Sequence, residues 1–98
     1  MNKPIKVRGE AERDIGEAYR WYAERGRGLA EEFLRALDAA LASIGRHPQA
    51  YPAVFGDIRR ALLRKFPYSV FYIEEPDAVV VIGCFHVRQD PRRWVARG

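Results

Sequence analysis

Cysteine is almost absent: Cys84 is the only one in 98 residues. A disulfide within the chain is therefore excluded, and so is a zinc site built on cysteines. Histidine is nearly as scarce. His47 and His86 lie far apart with no HxxxH or HExxH spacing, so no metal site is expected. No apolar run approaches the roughly 20 residues needed to cross a bilayer. Met1-Asn2-Lys3-Pro4 leads into a charged segment, with no apolar signal region. The expectation is a soluble cytoplasmic protein with no membrane contact. Neither G-x-x-x-x-G-K-[ST] nor G-x-G-x-x-G occurs, and Gly26-Arg27-Gly28 reads as a turn. Repeats, low-complexity stretches and linkers are missing too. No cofactor is expected.

What remains is ordinary globular composition. With 48% apolar and 31% charged residues, the chain is expected to form one domain, 1–98, since halves of it would be too small for a core. The charge is skewed. Lys and Arg number 17 against 13 acidic residues, a net +4. Residues 1–49 carry nine basic and eight acidic side chains, and residues 50–98 carry eight and five. Fourteen of the 17 cations are arginine, whose planar fork suits carboxylate or phosphate. The partner is either nucleic acid or an acidic protein segment, unless the surplus is merely a solvated surface.

Hydrophobic periodicity predicts the elements. Residues 3–8 read as a short strand, with Ile5 and Val7 on one face. From Glu10 the period lengthens to about 3.6, with Ala11, Ile15, Ala18 and Tyr22 in a stripe, and Glu10, Glu12 and Asp14 near the positive end of the helix dipole. Arg25-Gly26-Arg27-Gly28 stops this helix. A second helix, Leu29 to Arg46, carries Leu29, Phe33, Leu37, Ala40, Leu41 and Ile44, and Gly45 and Pro48 are expected to end it. Glu31 and Arg35 are spaced for an ion pair. Gly16 within the first helix has no evident reason. Residues 47–57 read as a loop. Asp57 to Phe66 alternates, with Ile58, Arg60, Leu62, Arg64 and Phe66 on one face. Tyr68 to Glu74 and the almost wholly apolar Val79 to Val87 follow, joined by a turn at Glu75-Pro76-Asp77-Ala78. Pro91 starts a short helical turn. The expected fold class is α+β: a short N-terminal strand and a two-helix antiparallel hairpin packed on an antiparallel β-sheet meander.

Chemistry has few candidates. Arg59, Arg60, Arg64 and Lys65 form one basic cluster; Arg88, Arg92, Arg93 and Arg97 form another. They are placed to converge on the exposed face of the sheet or on one of its ends, where they would neutralise phosphates or grip carboxylates. His86, ending an apolar strand, is either a general acid–base or a structural imidazole bonded to a backbone carbonyl or to Asp90. His47 reads as a helix cap, and Cys84 as a buried, inert thiol. Glu31-Glu32 and Glu74-Glu75 give no support for paired-carboxylate hydrolysis. Trp94 either contacts a target or packs the tail onto the sheet.

Read in order, several segments carry a resemblance. They are Ala11-Glu12-Arg13-Asp14-Ile15, Trp21-Tyr22, Leu29-Ala30-Glu31-Glu32-Phe33-Leu34 and Ile44 to Pro52. Then come Ile58 to Tyr68, Phe71-Tyr72, His86-Val87-Arg88-Gln89-Asp90-Pro91 and Trp94. Over nearly its whole length the chain resembles the RelE/ParE superfamily of toxins from type II toxin–antitoxin modules, also labelled plasmid stabilisation proteins. The resemblance implies two helices packed on an antiparallel sheet. RelE-like members cleave messenger RNA on the ribosome with a proton acceptor and charge-stabilising cations. Here no tyrosine follows Tyr72, and a reduced site of Arg64, His86 and Arg88 is all that remains for such a nuclease. The Arg-Arg…Lys-Phe-Pro-Tyr and His-x-Arg-x-Asp-Pro stretches look more like the ParE branch, whose known members poison DNA gyrase without cleaving RNA.

The resemblance implies a growth-inhibiting toxin that binds gyrase and forms a hetero-oligomer with a cognate antitoxin, ParD-like or other. The ribosome with its messenger RNA is the alternative target, and a non-toxic nucleic-acid-binding module is a third reading. Target contact is expected from Arg59, Arg60, Arg64, Lys65, Arg88, Arg92, Arg93, Trp94 and Arg97. The antitoxin tail is expected to fold across the hairpin and sheet, touching Trp21, Leu34 and Arg59.

Overall fold

The computed structural model describes residues 2–98. Strand β1, Ile5–Val7, leads into helix α1, Gly9–Ala23, and helix α2, Leu29–Arg46. Strands β2 (Ala53–Phe55), β3 (Ile58–Leu62), β4 (Tyr68–Glu75) and β5 (Ala78–His86) follow, and a one-turn helix, α3 (Arg92–Val95), closes the chain. The sheet order is β1-β5-β4-β3-β2. β2 to β5 are antiparallel in sequence. β1 pairs parallel with β5, Ile5 opposite Val79 and Val7 opposite Val81. The expected meander is therefore extended at both edges.

The helices lie on one face. Ala11, Ala18, Tyr22, Phe33, Leu37 and Ile44 meet Val70, Tyr72, Val79, Val81 and Cys84 of the central strands. Phe33 stacks on Tyr22 at 5.5 Å, and Phe66 and Tyr68 meet both rings edge-on. On the opposite face Ile58, Phe71, Ile82 and Phe85 form a smaller cluster, covered by Trp94 of α3. Trp94 lies flat on Phe71, centroids 4.8 Å apart. A bulge between Phe71 and Tyr72 changes the register with β5, which adds local twist.

Three expectations are corrected by packing. Gly45 does not end α2: it is buried within the helix, where the chain before β1 crosses it. Its carbonyl accepts the Lys3 N–H, and an added Cβ would stand 3.3 Å from the Lys3 carbonyl, so any larger residue would push that backbone away by a few tenths of an ångström. The strand expected to reach Phe66 stops at Leu62. Lys65 turns to φ 69°, so Phe66 swings to the helix-side core while Leu62, on the other face, stays 62% exposed. The expected Glu31–Arg35 pair does not form: the Glu31 carboxylate accepts the Tyr19 hydroxyl at 2.9 Å, a link between α1 and α2.

Candidate functional site

β5 is longer than the strand beside it. β1 covers only Val79 to Val81, with the Arg8 N–H reaching the Val81 carbonyl. Beyond that point side chains take over the ladder. The Ile82 carbonyl accepts from Arg97 Nη1 at 2.8 Å, the Cys84 N–H donates to Asp14 Oδ2 at 3.1 Å, and the His86 N–H donates to Gln89 Oε1 at 3.2 Å. Arg97 and Asp14 are themselves paired at 2.9 Å, with side-chain exposures of 17% and 9%. This hydrogen bond holds the Arg97 guanidinium above its ordinary pKa. A backbone edge left bare would cost free energy or recruit another chain; α1 and the tail prevent both.

This lock corrects two readings. Arg97 does not belong to an open basic surface: it is drawn inward, over the Phe85 ring at 4.8 Å and onto Asp14. Asp14 does more than favour a helix dipole. It stands three residues after Ala11 and four before Ala18, beside the buried stripe, and an acid there demands a partner. That position was the available signal.

Beside the lock is a cleft of about 230 Å³ whose lining includes Glu17, Trp21, Tyr68, His86, Gln89 and Arg93. His86 does not bond a carbonyl or Asp90. Its Nδ1 accepts the Arg88 N–H at 3.0 Å, and its ring meets Tyr68 edge-on at 5.3 Å. Burial pushes the Tyr68 hydroxyl up from its usual pKa. Cys84 is buried at the cleft floor; desolvation, helped by Asp14, pushes its thiol up to about 12, as an inert cysteine requires. His47 caps α2 as expected, with its own N–H bonded to the Ser43 carbonyl.

The other expected residues are distributed over the molecule. Arg64 and Lys65 in the β3–β4 turn and Arg88 after β5 share one end of the sheet, where the Val87 N–H bonds the Pro67 carbonyl. Arg60 is exposed on the outer face, opposite Phe71 in register. Arg93 lies 5.5 Å from the Phe85 centroid, and Arg92 is paired with Asp90. Arg59 points to the helix side and donates to the carbonyls of Gln49 and Tyr51. Trp94 holds the tail to the sheet. Trp21, 48% exposed, carries the Arg25 guanidinium 3.9 Å over its ring at the cleft. Leu34 lies in a separate shallow groove with Val7, Ile15, Gly16 and Tyr19. Trp21, Leu34 and Arg59 are thus not gathered into one patch.

The family profile described as ParE toxin of type II toxin-antitoxin system, parDE, matches residues 5–91. The chain belongs to this ParE toxin family. Toxin ParE2 of Mycobacterium tuberculosis is 26% identical over 92 residues, which span 93% of this chain and 88% of that protein. A solved structure titled chromosomal ParDE TA system from P. aeruginosa superposes with a TM-score of 0.75. It is 14% identical and covers 86% of this chain and 95% of its own, and it supports the fold. In this ParE-family chain the matched segment takes in both helices and every strand, and it ends before α3.

Proposed function

We propose that this toxin arrests growth by binding DNA gyrase, and that a cognate antitoxin neutralises it. The observation that carries the reading is the ParE-family match across residues 5–91. The chemistry of the late chain supports it. A ribonuclease needs a base and an acid poised at the 2′-hydroxyl and leaving oxygen. Here His86 Nδ1 accepts the Arg88 N–H, burial moves the Tyr68 hydroxyl further from the pKa a general base needs, and the late aromatic Trp94 stacks on Phe71. Indole exchanges no protons. Arg64 and Arg88 supply charge at the same sheet end.

The nuclease alternative draws on one observation, the side-by-side placement of Tyr68 and His86 facing the cleft. Induced expression, with and without the antitoxin gene, separates the two. Gyrase-linked DNA breaks with intact messages, retained in His86→Ala and suppressed by the antitoxin, are expected. Messages cut at ribosomes, with cutting lost in His86→Ala, would replace gyrase binding by the nuclease reading.

A further inference from the structure

A second concave surface lies at the same sheet end, on the far side of the β3–β4 turn from the cleft. It is a groove of about 500 Å³ between that turn and α2, lined by Glu32, Arg35, Ala36, Arg64, Lys65 and Phe66. Arg35 comes from the solvent face of α2, Arg64 and Lys65 from the turn; all three are exposed. Among the described residues none of the three, nor Arg88 on the adjoining loop, enters an ion pair. Glu32 is the one acid in the groove, so its lining carries a net +2.

The backbone adds donors. Lys65 is the one non-glycine residue with positive φ among the described residues, at 69°. Such a conformation is uncommon for lysine. Hydrogen bonds on either side fix the turn: Leu63 N–H to the Tyr68 carbonyl, Tyr68 N–H to the Phe66 carbonyl, and Val87 N–H to the Pro67 carbonyl. Between these anchors the N–H groups of Arg64, Lys65 and Phe66 donate to no backbone carbonyl among the described residues. Consecutive free amides at a left-handed turn, flanked by arginines, suit an oxyanion. Arginine forks and amides together match the several oxygens of a phosphate better than the two of a carboxylate.

We infer that this sheet end, through Arg35, Arg64, Lys65 and Arg88, grips the phosphate backbone of duplex DNA. Two features favour a duplex over a single strand. No exposed ring lines the groove, since Phe66 is buried, and single strands are held largely by stacking on aromatics. The cations span a helix and two neighbouring loops, as backbone tracking requires. The inference rests on the gyrase reading, for it gives the toxin a direct hold on the DNA that such an enzyme works on. It adds a contact that gyrase binding alone does not need.

The experiment measures binding of the purified chain to a fluorescent mixed-sequence duplex across a salt series, without gyrase. Four phosphate contacts predict a slope of log K against log salt of about −3.6. Arg35→Ala, Arg64→Ala and Lys65→Ala should each weaken binding irrespective of sequence and make the slope shallower by about 0.9. Arg13→Ala, on exposed α1, should change neither. Lys65→Gly removes the charge while easing the turn, so a loss shared by Lys65→Gly and Lys65→Ala belongs to the cation and not to misfolding. Tighter binding to RNA of the same length, or to polyglutamate, would overturn the inference, as would no duplex binding. If the chain fails on DNA yet still traps cleaved DNA on gyrase, this site falls and the gyrase reading stands. If it grips duplex DNA but leaves gyrase unaffected, the site stands and the gyrase reading falls.

Discussion

Asp14 shows how one side chain joins three parts of the chain. It takes the Cys84 N–H and the Arg97 guanidinium together, tying α1 to β5 and to the tail. Removing one partner of a fully buried pair costs roughly 3–5 kcal/mol, because the other charge is stranded. Water reaches Arg97 here, and Glu10 stands 3.9 Å away. Asp14→Asn is therefore expected to cost about 2 kcal/mol, measured by urea unfolding, with no loss of helix content by circular dichroism. Glu74 provides the pH-dependent contact. Hydrogen bonds from Lys3 and Gln49 hold its carboxyl below its ordinary pKa of 4.5. A lowered folded pKa means the contribution is complete above about pH 4.5 and lost as pH falls through the folded value. The stability difference between the natural chain and Glu74→Gln should accordingly be constant at neutral pH and shrink to nothing in acid; an undiminished difference in acid would show that charge is not its source.

Elements differ in how openly the chain announces them. α2 is legible to the residue, since Leu29 to Arg46 keeps one apolar stripe over 18 residues and acidic residues stand in its first turn. Its start also needs Gly28 at φ 81°, which glycine alone adopts without strain. β2 is invisible in the sequence: three residues between Pro52 and Gly56 hold no period, and the strand exists because β3 offers it an edge. Gly16 in α1 acquires a clear expectation. It borders the shallow groove, and an added Cβ would meet only Arg20 Nη1, at an ordinary 3.5 Å. Gly16→Ala should raise stability by about 1 kcal/mol through helix propensity, read as a higher urea midpoint with unchanged slope. An unchanged or lowered midpoint would mean that Gly16 has a packing role on that surface.

At the scale of the molecule, both ends of the chain finish the sheet: β1 by parallel pairing, and Arg97 by side-chain contact with the same strand. Deleting residues 2–7 should bare the β5 edge from Val79 to Val81 and drive self-association, seen in sedimentation as concentration-dependent species larger than those of the intact chain. A deleted chain that stays folded and sediments like the intact one would show that β1 is dispensable. The basic candidates illustrate the division between chain and fold. Composition alone marks Arg59, Arg60, Arg64, Lys65, Arg88, Arg92, Arg93 and Arg97 as one class. The fold sorts them: Arg97 and Arg59 inward, Arg92 to Asp90, and Arg64, Lys65 and Arg88 to one open end beside Arg35, which the sequence marked only as an ion-pair candidate for Glu31. Periodicity, turn chemistry and net charge are local or additive quantities, so the sequence by itself determined the helices, the main strands, the α+β class and the basic character. The partners of Asp14, the role of Gly45, the edge strand β2 and the sorting of the arginines join residues far apart in the chain. Only tertiary packing, which brings those residues within hydrogen-bond reach, decided them.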